Sequence, residues 1–319
     1  MLDLKEKIEN INNKLGINNI EEVNKFPRYI EIEAYDGCNI NCIMCPLGKN
    51  IYEGKGGLDL KTFEKLAIEM SDHKDWIRNV SLSRNGEPLL NKNLAKMVKL
   101  LKDNKVKRVN FSTNATALTE KRAKELLAAG LDEIRFSIDG YTKKTFESIR
   151  KDANFEKVIA NCLRYIKIRD ENYDAKSRQV QVRLVEQEKN ENEVAQWREY
   201  WLSKLQPTDV VASKKMHNWG NGHDYYEGKI VEDNKIHEPC ISPFSSLEVL
   251  WDGTVPLCGC DYKPIMNFGN VKEKSLQEIW NCEEFKKVRE IHASGKRNEI
   301  SLCVGCKVWE EKIRTVHSI

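Results

Sequence analysis

Apolar and polar positions along the chain follow two alternating periods. Runs with a period of two, YIEIEA (29–34), NVSLS (79–83), RVNFST (108–113), EIRFSID (133–139), VQVRLVE (180–186) and DVVAS (209–213), predict six strands. Between them the spacing turns helical over 60–71, 91–103, 119–129, 142–169 (two helices) and 191–205. Thr119 is placed to cap one of these helices, and Gly130 to stop it. The first 25 residues read as one further helix ahead of this body. Strand–helix alternation repeated six times predicts a parallel α/β sheet with helices outside it. Two arrangements satisfy that pattern, an incomplete barrel and an open doubly wound sheet, and periodicity does not choose between them. Both place ligands at the C-terminal ends of the strands.

Length and composition narrow the class. At 319 residues the chain has room for two domains. Its 40% hydrophobic and 32% charged residues can build a large core. Lys+Arg 52 against Asp+Glu 49 leaves a net charge of +3, too balanced for the basic face that nucleic acid requires. No apolar run reaches the roughly 18 residues of a membrane span, and the N-terminus has no apolar signal core. The expectation is a cytoplasmic protein with no membrane or nucleic-acid partner. In that reducing setting ten cysteines point to metal binding or catalysis before disulfides.

The cysteines are clustered. Cys38, Cys42 and Cys45 lie within eight residues; Cys240, Cys258, Cys260, Cys282, Cys303 and Cys306 occupy the last 80. Cys162 falls on the apolar stripe of a predicted helix and reads as a small buried residue. The first cluster, with spacing Cys-x3-Cys-x2-Cys, directly follows the first strand. Zinc knuckles normally pair CxxC units with a fourth ligand nearby, and none follows within 25 residues. Three thiolates on one loop suit a four-iron cluster with one iron left open.

Cys38, Cys42 and Cys45 after the first strand resemble the cluster motif of the radical S-adenosylmethionine (SAM) superfamily. Asn85-Gly86-Glu87-Pro88 after the second strand resembles its GGEP element, with Asn85 in place of the first glycine. FSTNA (111–115) and FSIDG (136–140), after the third and fourth strands, resemble its Ser-x-Asn and Ser-x-Asp-Gly elements. The resemblance covers roughly residues 28–215 and implies a partial (β/α)6 TIM-like barrel. It also implies SAM contacts at Met44, Gly86, Glu87, Ser112, Asn114, Ser137 and Asp139. Arg183 on the fifth strand is a further candidate for a SAM carboxylate or the substrate. By the same resemblance, one electron from the cluster cleaves SAM and a 5′-deoxyadenosyl radical takes hydrogen from the substrate. A flavodoxin- or ferredoxin-type donor would supply the electron.

Residues 216–239 read as a connecting loop in which His217, Asn218, Trp219, His223, Tyr225 and Tyr226 could line a polar pocket. Then Asp252-Gly253 predicts a hairpin, and 268–291 an amphipathic helix carrying Leu276, Ile279, Trp280, Phe285 and Val288. Cys303-x2-Cys306 taken alone would favour zinc. The order P-C, WDGTVPLC, SLQEIW, C-x2-C resembles the SPASM/Twitch module, which holds an auxiliary four-iron cluster. That implies Cys240, Cys258, Cys303 and Cys306 as ligands, and two clusters in the chain. Cys260 could replace Cys258, donate a hydrogen atom in catalysis, or simply pack beside the cluster; Cys282 reads as packed.

The domains expected are an N-terminal helical extension (1–27), a radical SAM core (28–215), the connecting loop (216–239) and the auxiliary module (240–319). The functional expectation is a radical SAM oxidoreductase or epimerase. Its substrate would be a small polar metabolite of the sugar, aminocyclitol or aminoglycoside kind. A maturase of a ribosomally made peptide is the alternative, and a metal-stabilised binding module the non-enzymatic one.

Overall fold

The computed structural model describes residues 4–47, 56–216, 219 and 239–306. His217, Asn218, His223, Tyr225 and Tyr226 lie outside the described residues. In chain order the main elements begin with α1 (Leu4–Leu15), β1 (Tyr29–Ile32), α2 (Leu60–Asp72), β2 (Asn79–Ser81), α3 (Leu94–Asp103) and β3 (Val109–Thr113). Next come α4 (Glu120–Ala128), β4 (Glu133–Ser137), α5 (Lys143–Ile149), α6 (Phe155–Asn172), β5 (Gln179–Glu186), α7 (Val194–Leu202) and β6 (Val210–Lys215). The last elements are β7 (Ser246–Val249), β8 (Thr254–Pro256), β9 (Asn267–Asn270), α8 (Leu276–Trp280) and α9 (Glu283–Ala293). All six strands expected from the two-residue period are present. Among the described residues no helix is long and apolar enough to cross a membrane.

The chain divides into two units, Ile32–Met216 and a discontinuous one of Met1–Glu31 with His217–Ile319. In the first, strands run in the order β6-β5-β4-β3-β2, and every neighbouring pair is parallel. That sequential order, with no reversal, is the pattern of a partial barrel and excludes a doubly wound sheet. Helix starts are set by capping: Asp59 accepts from Thr62 N at 2.8 Å, and Thr119 from Arg122 N at 3.3 Å. Gly130, at φ +95°, follows α4 as the expected stop.

The two faces of this sheet differ in chemistry. Along β5, Val180, Val182 and Leu184 are buried, while Gln179, Gln181 and Arg183 are only half-buried. Register extends that polar face across three strands, with Ser112 beside Arg135 beside Gln181, and Ser137 beside Arg183. The apolar face meets helices, as where the Phe136 and Tyr165 rings stand edge to face at 5.7 Å. A parallel sheet covered by helices on both faces would be apolar on both. Here only one face is, so the other lines a polar interior.

In the second unit the N-terminal residues, read from sequence as an extension of their own, fold with the C-terminal ones. Trp280 Nε1 donates to Val23 O at 2.6 Å, Asn281 to Asn24 O at 2.9 Å and Gln277 to Lys25 O at 3.3 Å. Arg289 lies 4.0 Å from the Trp280 ring centroid and donates to Trp280 O at 2.7 Å and Pro243 O at 2.9 Å. The single N-terminal helix expected is shorter than read. Gly16, at φ +60°, ends α1, and a 3-10 turn capped by Asn19 follows over Ile20–Lys25. The expected 268–291 helix is likewise two: Ser275 and Glu278 form a capping box at α8, and the chain turns at Asn281-Cys282 before α9. Around Gly253 (φ +93°) the anticipated turn forms, but β8 pairs antiparallel with β9.

Trp280 is fully buried, and its ring carries the contacts to both the N-terminal segment and Arg289. We expect Trp280→Ala to destabilise this unit by about 3–5 kcal/mol, read as a lowered denaturation midpoint with the transition of residues 32–216 unmoved.

Candidate active site

The loop after β1 carries the first thiol cluster, and three neighbouring segments hold it in shape. Glu87 N donates to Gly37 O at 2.8 Å. Asn39 donates to Thr116 Oγ1 at 2.7 Å and accepts from Asn114 Nδ2 at 3.1 Å. Asn41 and Cys42 form a two-residue antiparallel pair with Lys151 and Arg150. Gly86 is required by the first of these contacts. A Cβ there would sit 1.9 Å from Tyr35 O and 2.7 Å from Gly37 O, so only glycine lets the two loops touch.

The motif side chains mostly bind one another. Glu87, fully buried, accepts from Thr113 Oγ1 at 2.7 Å, Asn114 N at 2.8 Å and Leu89 N at 3.0 Å. Burial raises its pKa, and those three donors pull it back. Asn114 Oδ1 accepts from Thr116, while Nδ2 also reaches Cys38 Sγ at 3.7 Å. Asp139 pairs with Arg150 at 2.6 Å and accepts from Val185 N at 2.7 Å. Ser112, Ser137 and Arg183 lie half-buried on the polar face of the sheet, near the strands' C-terminal ends. Met44 is half-buried on the cysteine loop itself.

Arg150, which the sequence reading passed over, brings a positive charge to the thiol loop. Its Nη1 donates to Cys42 Sγ at 3.6 Å. Burial works against its charge, yet Asp139 and then Cys42 hold the guanidinium above its ordinary pKa. An arginine ending an amphipathic helix reads as solvated, so no sequence signal marked it. Burial pushes Cys42 up to about 12 and raises Cys38, with Arg150 pulling both down. Cys38 and Cys42, with Cys45 near enough to perturb both, are thiols whose ionised form gains from cations held between them. An iron cluster held by thiolates supplies those cations, so the residues fit the group.

In the second unit Cys240, Cys258, Cys260, Cys303 and Cys306 line one pocket with His292 and Arg297. Burial raises Cys303 and then its neighbouring thiols add to the shift. Hydrogen bonds with Cys258 and Cys306, followed by burial, raise the pKa of the Cys260 thiol. Asp261, buried, accepts from the amides of Ile265 at 2.7 Å and Met266 at 3.0 Å, which fixes the loop after Cys260. Arg297 donates to Cys306 O at 2.6 Å and Cys303 O at 3.2 Å. Both Arg297 and His292 were missed from sequence. His292 lay within reach, because it extends the α9 stripe of Phe285 and Val288 by one more turn. The dry, thiol-rich pocket suits an iron–sulfur cluster. Cys282 stands apart at the N-cap of α9, and Cys162 is buried on α6 as expected.

Family models match both regions: the radical SAM superfamily over residues 32–171, and the SPASM iron–sulfur cluster-binding domain over 240–307. The chain contains a radical SAM domain followed by a SPASM domain. Those two domains give the chain its cofactors, SAM, the cluster of the radical SAM domain and an auxiliary iron–sulfur cluster. The SPASM match decides between the zinc and iron–sulfur readings of the C-terminal thiols. The chain is 33% identical over 122 residues to a probable GTP 3′,8-cyclase of Methanococcus maripaludis, covering 38% of this chain and 39% of that one. It thus spans about two fifths of the length of the first curated relatives it matches. A tungsten-containing aldehyde ferredoxin oxidoreductase cofactor-modifying protein of Pyrococcus furiosus is 24% identical over 81% of this chain and 82% of its own. Among solved structures, BtrN in complex with AdoMet and 2-DOIA superposes with a TM-score of 0.59 at 22% identity, covering 89% of this chain and 94% of that one. Streptococcus suis SuiB bound to precursor peptide SuiA gives 0.60 at 13% identity, covering 91% and 74%. At those identities the likeness is one of fold.

Two outcomes test the radical SAM site and the auxiliary pocket. Gly86→Ala should weaken SAM binding at least about tenfold in equilibrium titration of the reconstituted protein, by forcing the Gly37 loop away. Anaerobic iron and sulfide analysis should give about eight irons per chain, falling to about four for Cys303→Ala and staying near eight for Cys260→Ala.

Proposed function

We propose that this radical SAM enzyme takes hydrogen from a small polar metabolite, a sugar, aminocyclitol or aminoglycoside-like molecule, and dehydrogenates it. The observation that carries the reading is the polar face of the sheet, where Ser137 and Arg183 stand in register with Ser112 and Gln181 one row away. Hydroxyl, amide and guanidinium groups on a rigid sheet suit a substrate rich in hydroxyls and amines. The fold likeness to BtrN over nearly that whole chain, solved with AdoMet and 2-DOIA, supports the same class.

With its cluster and SAM bound, the site supplies a 5′-deoxyadenosyl radical as the hydrogen-abstracting agent. The chain's own residues bind and orient. Cys38, Cys42 and Cys45 hold the cluster, with Arg150 fixed beside Cys42 by Asp139. Gly86 and the backbone around it would meet the amino group of SAM, while Glu87 and Asn114 keep that loop rigid. Met44, half-buried on the cysteine loop, would serve the adenine. Ser112, Ser137 and Arg183, the last held by Gln181 at 2.7 Å, would face the ribose, the SAM carboxylate or the substrate. Cys240, Cys258, Cys303 and Cys306 hold the auxiliary cluster. Cys260 is buried and bonded to two of these thiols, which favours dehydrogenation, because a hydrogen-atom donor for epimerisation must be reached by the substrate radical. A flavodoxin- or ferredoxin-type protein completes the system as electron donor.

Release of 5′-deoxyadenosine from reconstituted, dithionite-reduced protein tests the assignment. Sugars or aminocyclitols should stimulate it by about tenfold or more over the uncoupled rate, with Arg183→Ala losing at least about tenfold in kcat/KM. Stimulation by peptides alone would overturn this reading in favour of a peptide maturase.

A further inference from the structure

The auxiliary pocket contains a side chain that thiolate ligation does not call for. His292, in the last turn of α9, is fully buried and spans two segments that carry ligands. On one side Cys240 N lies 3.2 Å from Nδ1. On the other, Nε2 lies 3.6 Å from Cys303 Sγ. A backbone amide can only donate, so Nδ1 must present its lone pair, and the ring's proton resides on Nε2. That proton points to the sulfur of Cys303.

We propose that His292 donates an Nε2–H hydrogen bond to the Cys303 thiolate of the auxiliary cluster and thereby raises the cluster's reduction potential. The proposal rests on the assignment of an auxiliary iron–sulfur cluster to this pocket. Its physical basis is charge. An N–H directed at a ligand sulfur withdraws electron density from it, and does so most strongly when the cluster carries the extra electron, so the reduced form gains. The surroundings make His292 the donor suited to this task. Leu257, Leu302 and Pro243 give the pocket an apolar wall. Arg297 donates to the carbonyls of Cys303 and Cys306, and so fixes the backbone of the CxxC loop. His292 meets the sulfur itself. It is a positioning residue, acting through Cys303 and through the amide of Cys240.

The test uses the full chain with Cys38, Cys42 and Cys45 replaced by alanine, so that it carries the auxiliary cluster only. If that protein binds no iron, the cluster assignment itself fails, separately from the role of His292. With about four irons bound, histidine labelled with nitrogen-15 should give a weak hyperfine coupling in the reduced cluster's pulsed electron paramagnetic resonance spectrum. An exchangeable proton coupling should accompany it. Absence of both couplings would overturn the proposal, and so would a strong nitrogen coupling, which marks a direct iron ligand. His292→Phe should keep the iron and lower the midpoint potential, with the exchangeable coupling lost. His292→Gln, which can still accept from Cys240 and donate to sulfur, should restore much of the difference. An intact cluster with unchanged potential in His292→Phe would refute the proposal. If the phenylalanine variant fails to retain iron, the labelled parent and His292→Gln still decide. A glutamine variant that keeps its iron but neither the exchangeable coupling nor a potential near the parent's refutes it as well.

Discussion

The carboxylate of Glu87 is the interaction around which the radical SAM loop is organised. Its two oxygens collect a hydroxyl and two amides from separate segments, tying the turn after β2 to the end of β3. The amide of the same residue reaches back to Gly37, next to the first cysteine. A buried carboxylate is tolerated only when its lone pairs are filled, and these are. Removing that one group would leave three donors in a dry interior and release the contact that shapes the cysteine loop. Gly86 serves the same junction by having no side chain.

This changes the meaning of the sequence motifs. Glu87, Asn114 and Asp139 were legible as a set because they stand in the right order after successive strands. Their spacing carries no information about which atoms face a ligand and which face each other. The structure turns most of these polar atoms inward, to loops and to Arg150, and leaves Ser112, Ser137 and Arg183 on the open polar face. Arg150 itself was illegible. Its partners Cys42 and Asp139 are distant in sequence, and a lone arginine at a helix end carries no pattern.

The strands were legible because a two-residue period in a parallel sheet is informative in itself. Val180, Val182 and Leu184 alternating with Gln179, Gln181 and Arg183 say that one face is helix-covered and the other polar. Helix ends were less legible. Gly16 and the Ser275–Glu278 box divide stretches whose apolar spacing continues across the break, so local capping overrides periodicity there. The thiols of the second unit could be read by spacing, but the gathering of Cys260 and His292 into the same pocket depends on tertiary closure.

The discontinuity of the second unit carries a consequence for biogenesis. The carbonyls of Val23, Asn24 and Lys25 accept from the side chains of Trp280, Asn281 and Gln277, which lie more than two hundred residues further along the chain. These contacts can form only after the intervening residues have been translated, by which time Ile32–Met216 is complete. Closure over so long a stretch is entropically slow. The order of assembly is thus written into the topology: the central unit is able to mature first, and the discontinuous unit closes only when its two stretches of chain meet.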